Sequence, residues 1–314
     1  MNLQALNVAQ FLALLAILFV SLHYVTPVAG DLSMFKFLDG RADAFLVMLL
    51  GLQFGASANL KQGGLLIAIG FVLIALDPTG MLLMIGLSLS IGALALRFLP
   101  RQLHWFSLAI ILIWPLIALG VDHQNGWALT GYADLWTPIG FLRNTLFNGW
   151  HPLIPWAAFF TFGMWLATVK FSEATPRRLA VGGFFLALIF KALSGIAAKD
   201  EWGIADMVSL TALPPNPFFV GYTLAVCLSA LGIILWLTPR IGAVADLLAV
   251  PGKMPFTLYT LIALMLAIFA RFAPIPFSAG ILTIQIGATL LLFAHIWVRF
   301  MPAGPLETLL AKLR

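Results

Sequence analysis

The sequence predicts an all-α polytopic transmembrane helix bundle, and three observations carry that prediction. Of its 314 residues, 62% are hydrophobic and only 9% are charged. The mean hydropathy of +1.03 lies far above the range of soluble globular domains. The apolar residues are gathered into runs that approach the length of about 20 residues a transmembrane helix needs, and by that ruler the chain holds about ten spans.

The first run, centred near Leu15, lacks a basic leader and is too long for a signal peptide, so it reads as a retained span despite the cleavage-like PVAG after it. Within it, Asn7, Gln10 and Ser21 share one arc at helical spacing. They are expected to face the bundle interior and to hydrogen-bond between helices. His23 points to the other side, near Tyr24 and Pro27, as an interfacial group. The second run, near Leu50, follows GDLSMFKFLDGRAD, with Asp31, Asp39, Arg41 and Asp43. The third and fourth, near Ile69 and Ser88, are separated only by DPTG and read as a tight hairpin or a broken pair of half-helices.

The fifth run, near Ile111, starts beside His104, an edge anchor flanked by Arg101 and Trp105. The sixth, near Phe160, is opened by NGWHPLIPW. The seventh, near Leu186, carries Lys191, which can snorkel to the interface. The eighth, near Leu228, holds the single cysteine, Cys227, which excludes disulfides and Cys-based metal sites. The ninth and tenth lie near Leu264 and Thr289, and the last contains Gln285 and His295 as structural polar groups. We read 1–314 as one integral membrane domain: a first-half bundle (1–170) with the sixth span, a second half (171–299), and an amphipathic cytoplasmic tail (300–314).

The formal net charge is +5, but the Lys and Arg residues are scattered singly between apolar runs, as topology signals are, which argues against nucleic acid as a partner. Counted loop by loop, the basic residues predict cytoplasmic termini, with Lys61, Arg97, Arg101, Lys170, Arg177, Arg178, Arg240, Lys253, Arg299, Lys312 and Arg314 inside. Three longer loops then open on the outer face, between spans one and two, five and six, and seven and eight. They gather most of the acidic residues and two histidines into a polar vestibule. Two of the passages look alike: Gly40, Phe54, Gly55 and Lys61 are answered by Gly149, Phe162, Gly163 and Lys170, which suggests a parallel internal repeat.

His151 is the sharpest candidate. With Pro152 in the first turn and Asn148 as cap, the helix dipole would favour a neutral imidazole, the form a general base needs. Set against this is an interfacial histidine between Trp150 and Trp156 in an aromatic belt. Asp39, Arg41 and Asp43 can orient a base or clamp an anion, or form a solvated ion pair at a helix start. His123, Asp134 and Asn216 are further polar loop residues placed to contact a substrate. No metal-ligand spacing, phosphate loop, dinucleotide fingerprint or nucleophile elbow is present, so no metal is expected.

NGWHPLIPWAAFFTFGMWLA resembles the HPLxPWxxxxxxGxxLG signature of bacterial YeiB-like membrane proteins and of the catalytic domain of heparan-alpha-glucosaminide N-acetyltransferase. LPPNPFFVGYTLAVCLSALGIILWL, VPGKMPFTLYTLIALML and AGPLETLLAKLR are similar to later elements of the same superfamily, in the same order. The resemblance implies an inner-membrane acyltransferase that moves an acyl group, acetyl above all, from cytoplasmic acyl-CoA to an extracytoplasmic sugar amine or hydroxyl. His151 matches the signature histidine and would be the base, with Asp39 its orienter. Arg41 and Asn148 would contact the glycan or other small acceptor, and Arg101, Arg177, Arg178 and Lys253 the CoA phosphates. The bilayer is the expected partner, and a homo-oligomer is compatible with this reading.

Two departures stand out. Where the family opens span one with LDxLRG, this chain has LNVAQF, so Asn7 and Gln10 form an amide pair in place of an ionic one, and Phe11 replaces a glycine. The histidine of GRxPLxxYxxH is replaced: Thr260, Leu261 and Ile262 follow Tyr259. These departures sustain the alternative of a non-enzymatic carrier or scaffold.

Overall fold

The computed structural model describes residues 2–26, 32–98, 102–128, 131–197, 208–271 and 277–314. In chain order the helices are α1 (Leu3–Val25), α2 (Leu32–Leu38), α3 (Arg41–Phe54), α4 (Leu60–Leu73), α5 (Met81–Phe98), α6 (Leu103–Ala118) and α7 (Pro138–Arg143). Then follow α8 (Leu153–Leu166), α9 (Thr175–Ala197), α10 (Pro217–Leu237), α11 (Ala243–Ala249), α12 (Pro255–Arg271), α13 (Ala279–Trp297) and α14 (Pro305–Ala311). Trp127–Ala128 and Gly131–Tyr132 pair as two short antiparallel strands, β1 and β2, which the apolar periodicity does not announce.

Each expected span is a helix, but they are unequal in length. Among the described residues, α1, α5, α9, α10 and α13 are long and apolar enough to cross a membrane. A bent pair, Ala243–Lys253 with Pro255–Phe269, makes a sixth candidate, and α4, α6 and α8 are shorter apolar helices. The chain is therefore an all-α integral membrane protein, with five or six helices of spanning length among the described residues. Local breakers explain the shortening: α3 stops at Gly55, whose φ of +44° an L side chain rarely adopts. Regular backbone in α8 starts only after Ile154, which is extended at φ −106°, ψ 112°.

The backbone separates into two compact units, each discontinuous in sequence: Met1–Leu49, Phe171–Gly182 and Cys227–Leu313 in the first, Leu50–Lys170 and Gly183–Val226 in the second. In the first, α1 is apolar all round and packs against α11, α12 and α13. Gln10 is wholly buried in it, and Asn2 caps it through the Gln4 amide at 2.9 Å. A Cβ on Gly252 would lie 1.8 Å from the Asn7 carbonyl oxygen, so only glycine lets the turn before α12 reach the α1 backbone there.

In the second unit, α4 and α5 form the hairpin expected from DPTG, closed by glycines. An added Cβ would meet the Leu83 nitrogen at 2.4 Å from Gly70 and the Ile67 nitrogen at 2.6 Å from Gly86. Small residues of this kind let membrane helices pack backbone to backbone. α8 packs on α5 and α6, with Met164 and Phe160 against Gly92 and Thr161 accepting from the Ser107 hydroxyl at 2.8 Å, while buried Trp156 and Phe159 meet Phe219 of α10. The two Phe-Gly pairs of the suggested repeat differ: Phe54–Gly55 ends α3, whereas Phe162–Gly163 lies inside α8.

Candidate functional site

His151 follows a π-helical turn, Asn144–Asn148, in the second unit. Its Nδ1 lies 3.1 Å from the Thr79 carbonyl oxygen, and its ring meets Trp156 edge-on, centroids 4.5 Å apart. A carbonyl oxygen only accepts, so in the neutral ring Nδ1 carries the proton and Nε2 holds the lone pair. The Thr79 carbonyl is fixed by DPTG itself: Asp77 Oδ1 accepts from the Thr79 hydroxyl at 2.6 Å and its amide at 3.2 Å, and Gly80 completes the turn at φ +67°. Sequence reasoning placed this turn but missed its contact with His151. An Asp two residues before a Thr at a hairpin tip is the signal that could have found it.

Two details of the expected capping are corrected. The residue before α8 is Pro152, with Leu153 the first helical position, and Asn148 does not cap the helix. Because Ile154 is extended, His151 stands four residues before the regular backbone at Pro155. A helix dipole fades within one turn, so the Thr79 carbonyl, rather than the dipole, sets the ring's protonation pattern.

Asn148 is instead the centre of a polar knot. It is 1% exposed, and its Oδ1 accepts from the Tyr132 hydroxyl at 2.7 Å while its Nδ2 donates to the Asn125 carbonyl at 2.7 Å. Its own carbonyl accepts from Trp127 Nε1 at 2.8 Å. The chain continues from Tyr132 to Arg143 Nε at 2.9 Å and from Arg143 to an ion pair with Asp134. Hydrogen bonds to Tyr132, then to Asp134, raise the Arg143 pKa above its ordinary value. Trp127 stands edge-to-face with both Tyr132 and Trp150. Gly126 stands at φ +87°, a conformation that an L side chain adopts only with strain, beside the Arg143–Asp134 pair.

Around this knot, hydrogen-bonding capacity stays unused among the described residues. His123 Nε2, Asp134 Oδ1, Asn144 Nδ2 and Thr145 Oγ1 are buried with no hydrogen-bond partner. An orphaned buried polar group costs about 1–3 kcal/mol, so such a group asks for a reason. His123 packs edge-on against Trp114, and burial holds its pKa below the ordinary histidine value despite Asp122.

The remaining candidates are spread over other places. Asp39 and Arg41 belong to the first unit, at the α2–α3 corner that Gly40 turns with φ +70°. Arg41 is buried and its Nη1 donates to the Lys36, Phe37 and Asp39 carbonyls at 3.0–3.3 Å, closing the C-terminus of α2. Asp39 accepts from the Tyr24 hydroxyl at 3.2 Å. Asn216, in the second unit, caps α10, accepting from the Phe219 amide at 2.9 Å and donating to the Ser209 carbonyl at 2.9 Å. Arg177 and Arg178 in the first turn of α9 and Lys253 before α12 are exposed in the first unit. Arg101 lies outside the described residues. No group of three His, Cys, Asp or Glu side chains among the described residues could hold a metal ion.

Neither the curated proteins nor the solved structures hold a match to this chain. The model of a family described as a protein of unknown function (DUF418), the YeiB-like family, matches residues 162–314, just under half of the chain. That segment contains three of the four stretches on which the resemblance rests, while His151 and the whole of NGWHPLIPW precede it. Over its C-terminal half, then, this integral membrane protein is similar to the YeiB-like family DUF418.

Proposed function

We propose that the protein transfers an acyl group, acetyl above all, from cytoplasmic acyl-CoA to an amine or hydroxyl of an extracytoplasmic sugar at the inner membrane. The observation that carries this reading is the hold of Thr79 on His151 Nδ1, which puts the ring's lone pair on Nε2. In the reaction Nε2 takes the proton of the acceptor amine or hydroxyl as its heteroatom bonds to the thioester carbonyl carbon. The C–S bond then breaks, and the CoA thiolate leaves with the proton returned by the imidazolium. The unused groups of His123 and Asp134 support a polar acceptor beside the Asn148 knot. Arg101, Arg177, Arg178 and Lys253 are the basic residues assigned to the CoA phosphates.

The test is acyl transfer by the full chain in lipid, read as thiol release from acetyl-CoA with sugar acceptors. His151→Gln should lower the rate by about a hundredfold or more, the range of general-base contributions. Wild-type turnover that His151→Gln leaves untouched defeats the assignment. A second reading, a non-enzymatic carrier, draws support from the amide Gln10, wholly buried where the family has an arginine. Solute uptake into proteoliposomes that acyl-CoA does not alter would favour it.

A further inference from the structure

The first unit carries a surface groove where the start of α9 meets the end of α10. Gly232 of α10 lies against the α9 backbone, where a Cβ would be 2.2 Å from the Ala180 nitrogen and 2.6 Å from the Pro176 carbonyl oxygen. Ser229 fastens the same contact by donating to the Ala180 carbonyl at 2.9 Å. This close approach brings the N-terminal turns of α9 beside the C-terminal turns of α10 and leaves a surface groove lined by Arg177, Ala180, Ile233 and Trp236. Its floor is apolar, and Ile233 and Trp236 are almost half exposed, the exposure of side chains that meet lipid.

One arginine lines the groove, and a second, in the turn Thr238–Arg240 after α10, stacks on its Trp236. Arg177 comes from the first turn of α9. Arg240 lies over the Trp236 ring with its guanidinium carbon 4.3 Å from the centroid, and it also donates to the Trp236 carbonyl. Stacking pins that guanidinium beside the groove. A phosphate diester is matched by planar guanidinium donors, an acyl chain by the apolar floor, and a tryptophan at their border by the interfacial zone. Free phosphate or the phosphates of CoA would use only the rim. The residues also belong to the face that the distribution of Lys and Arg predicts to be cytoplasmic, where anionic lipid attracts basic side chains.

We infer that the Arg177–Trp236–Arg240 groove binds one anionic phospholipid, its phosphate between the two guanidiniums and an acyl chain along Ile233 and Ala180. This assigns Arg177 to lipid instead of CoA and stands independently of the acyltransferase reading. The test is native mass spectrometry of the detergent-purified full chain titrated with phosphatidylglycerol, phosphatidylcholine or CoA. One tightly held phosphatidylglycerol is expected, weakened about thirtyfold in the double variant Arg177→Gln/Arg240→Gln, from about one kcal/mol per basic residue. Arg299→Gln, which removes a basic residue elsewhere, should leave it unchanged. Equal binding of phosphatidylcholine, or equal phosphatidylglycerol affinity in wild type and double variant, overturns the inference. Displacement of the lipid by CoA at comparable concentration also overturns it, reassigning the groove to a soluble ligand. As a check that needs no variant, photoactivatable phosphatidylglycerol should label wild type at Ala180 and Ile233, and labelling confined to other helices counts against the site.

Discussion

At the scale of single residues, His151 depends on a turn 72 positions earlier in the chain. Asp77 holds the Thr79 amide and hydroxyl, and the Thr79 carbonyl in turn holds His151 Nδ1. Asp77→Ala should therefore release the ring, whereas Asp77→Asn, which keeps an acceptor oxygen, should largely preserve it. Nitrogen-15 spectra of labelled histidine, with the His151 signal identified from a His151→Gln sample, will show whether protonated Nδ1 gives way to a tautomer mixture in Asp77→Ala. An unchanged tautomer would sink this positioning role. If the ring serves as base, displacement on the ångström scale should cost on the order of a hundredfold in transfer. Asn148 is the second residue-scale case. Asn148→Ala removes the acceptor of the Tyr132 hydroxyl, which keeps only Arg143 Nε, and the donor to the exposed Asn125 carbonyl, so thermal unfolding should show a loss of about 1–2 kcal/mol.

At the scale of elements, the α4–α5 hairpin offers a matched pair of glycines. Gly70 presses on the Leu83 backbone, but a Cβ on Gly64 of the same helix meets nothing within 4 Å. Gly70→Ala must push the helices apart, and it should lower the melting temperature and loosen the DPTG turn with it. Gly64→Ala should raise stability by up to about 1 kcal/mol, the helix-propensity difference between the two residues. If both substitutions act alike, close helix packing is not what selects glycine at position 70. The same logic explains why the sequence reads as about ten spans although five or six reach spanning length among the described residues. Hydropathy registers where apolar residues lie, while a positive-φ glycine or an extended residue decides where helical hydrogen bonding stops.

At the scale of the whole molecule, a carboxylate helps tie the C-terminal tail to α12. Glu307 of α14 accepts from the Phe256 and Thr257 amides at 2.7 and 3.1 Å and from the Thr257 hydroxyl at 2.5 Å, satisfying the N-terminus of α12. Burial raises its pKa above the ordinary value, and these hydrogen bonds offset only part of that. The sign follows: the folded chain holds the proton more tightly than the unfolded one, so stability falls as pH rises above about 4.3, the ordinary Glu value, and levels off once the folded carboxyl has ionised. Melting temperatures measured from pH 4 to 8 should show this slope in wild type and a flatter one in Glu307→Gln. Identical slopes would rule the carboxyl out as its source.

Much of this architecture was legible in the sequence. Apolar runs of span length dictate an all-α membrane protein, because backbone polar groups in lipid must be satisfied within the helix. The hairpin at DPTG was legible too, because Pro and Gly restrict the backbone locally. What only the tertiary structure decided is which polar groups meet. It is tertiary contact that puts Asn148 into the knot with Tyr132 and Arg143 and sets Thr79 on His151. Such pairings join residues at separations without periodicity, so no pattern along the chain encodes them. They are settled when buried donors and acceptors, cut off from water, must find one another.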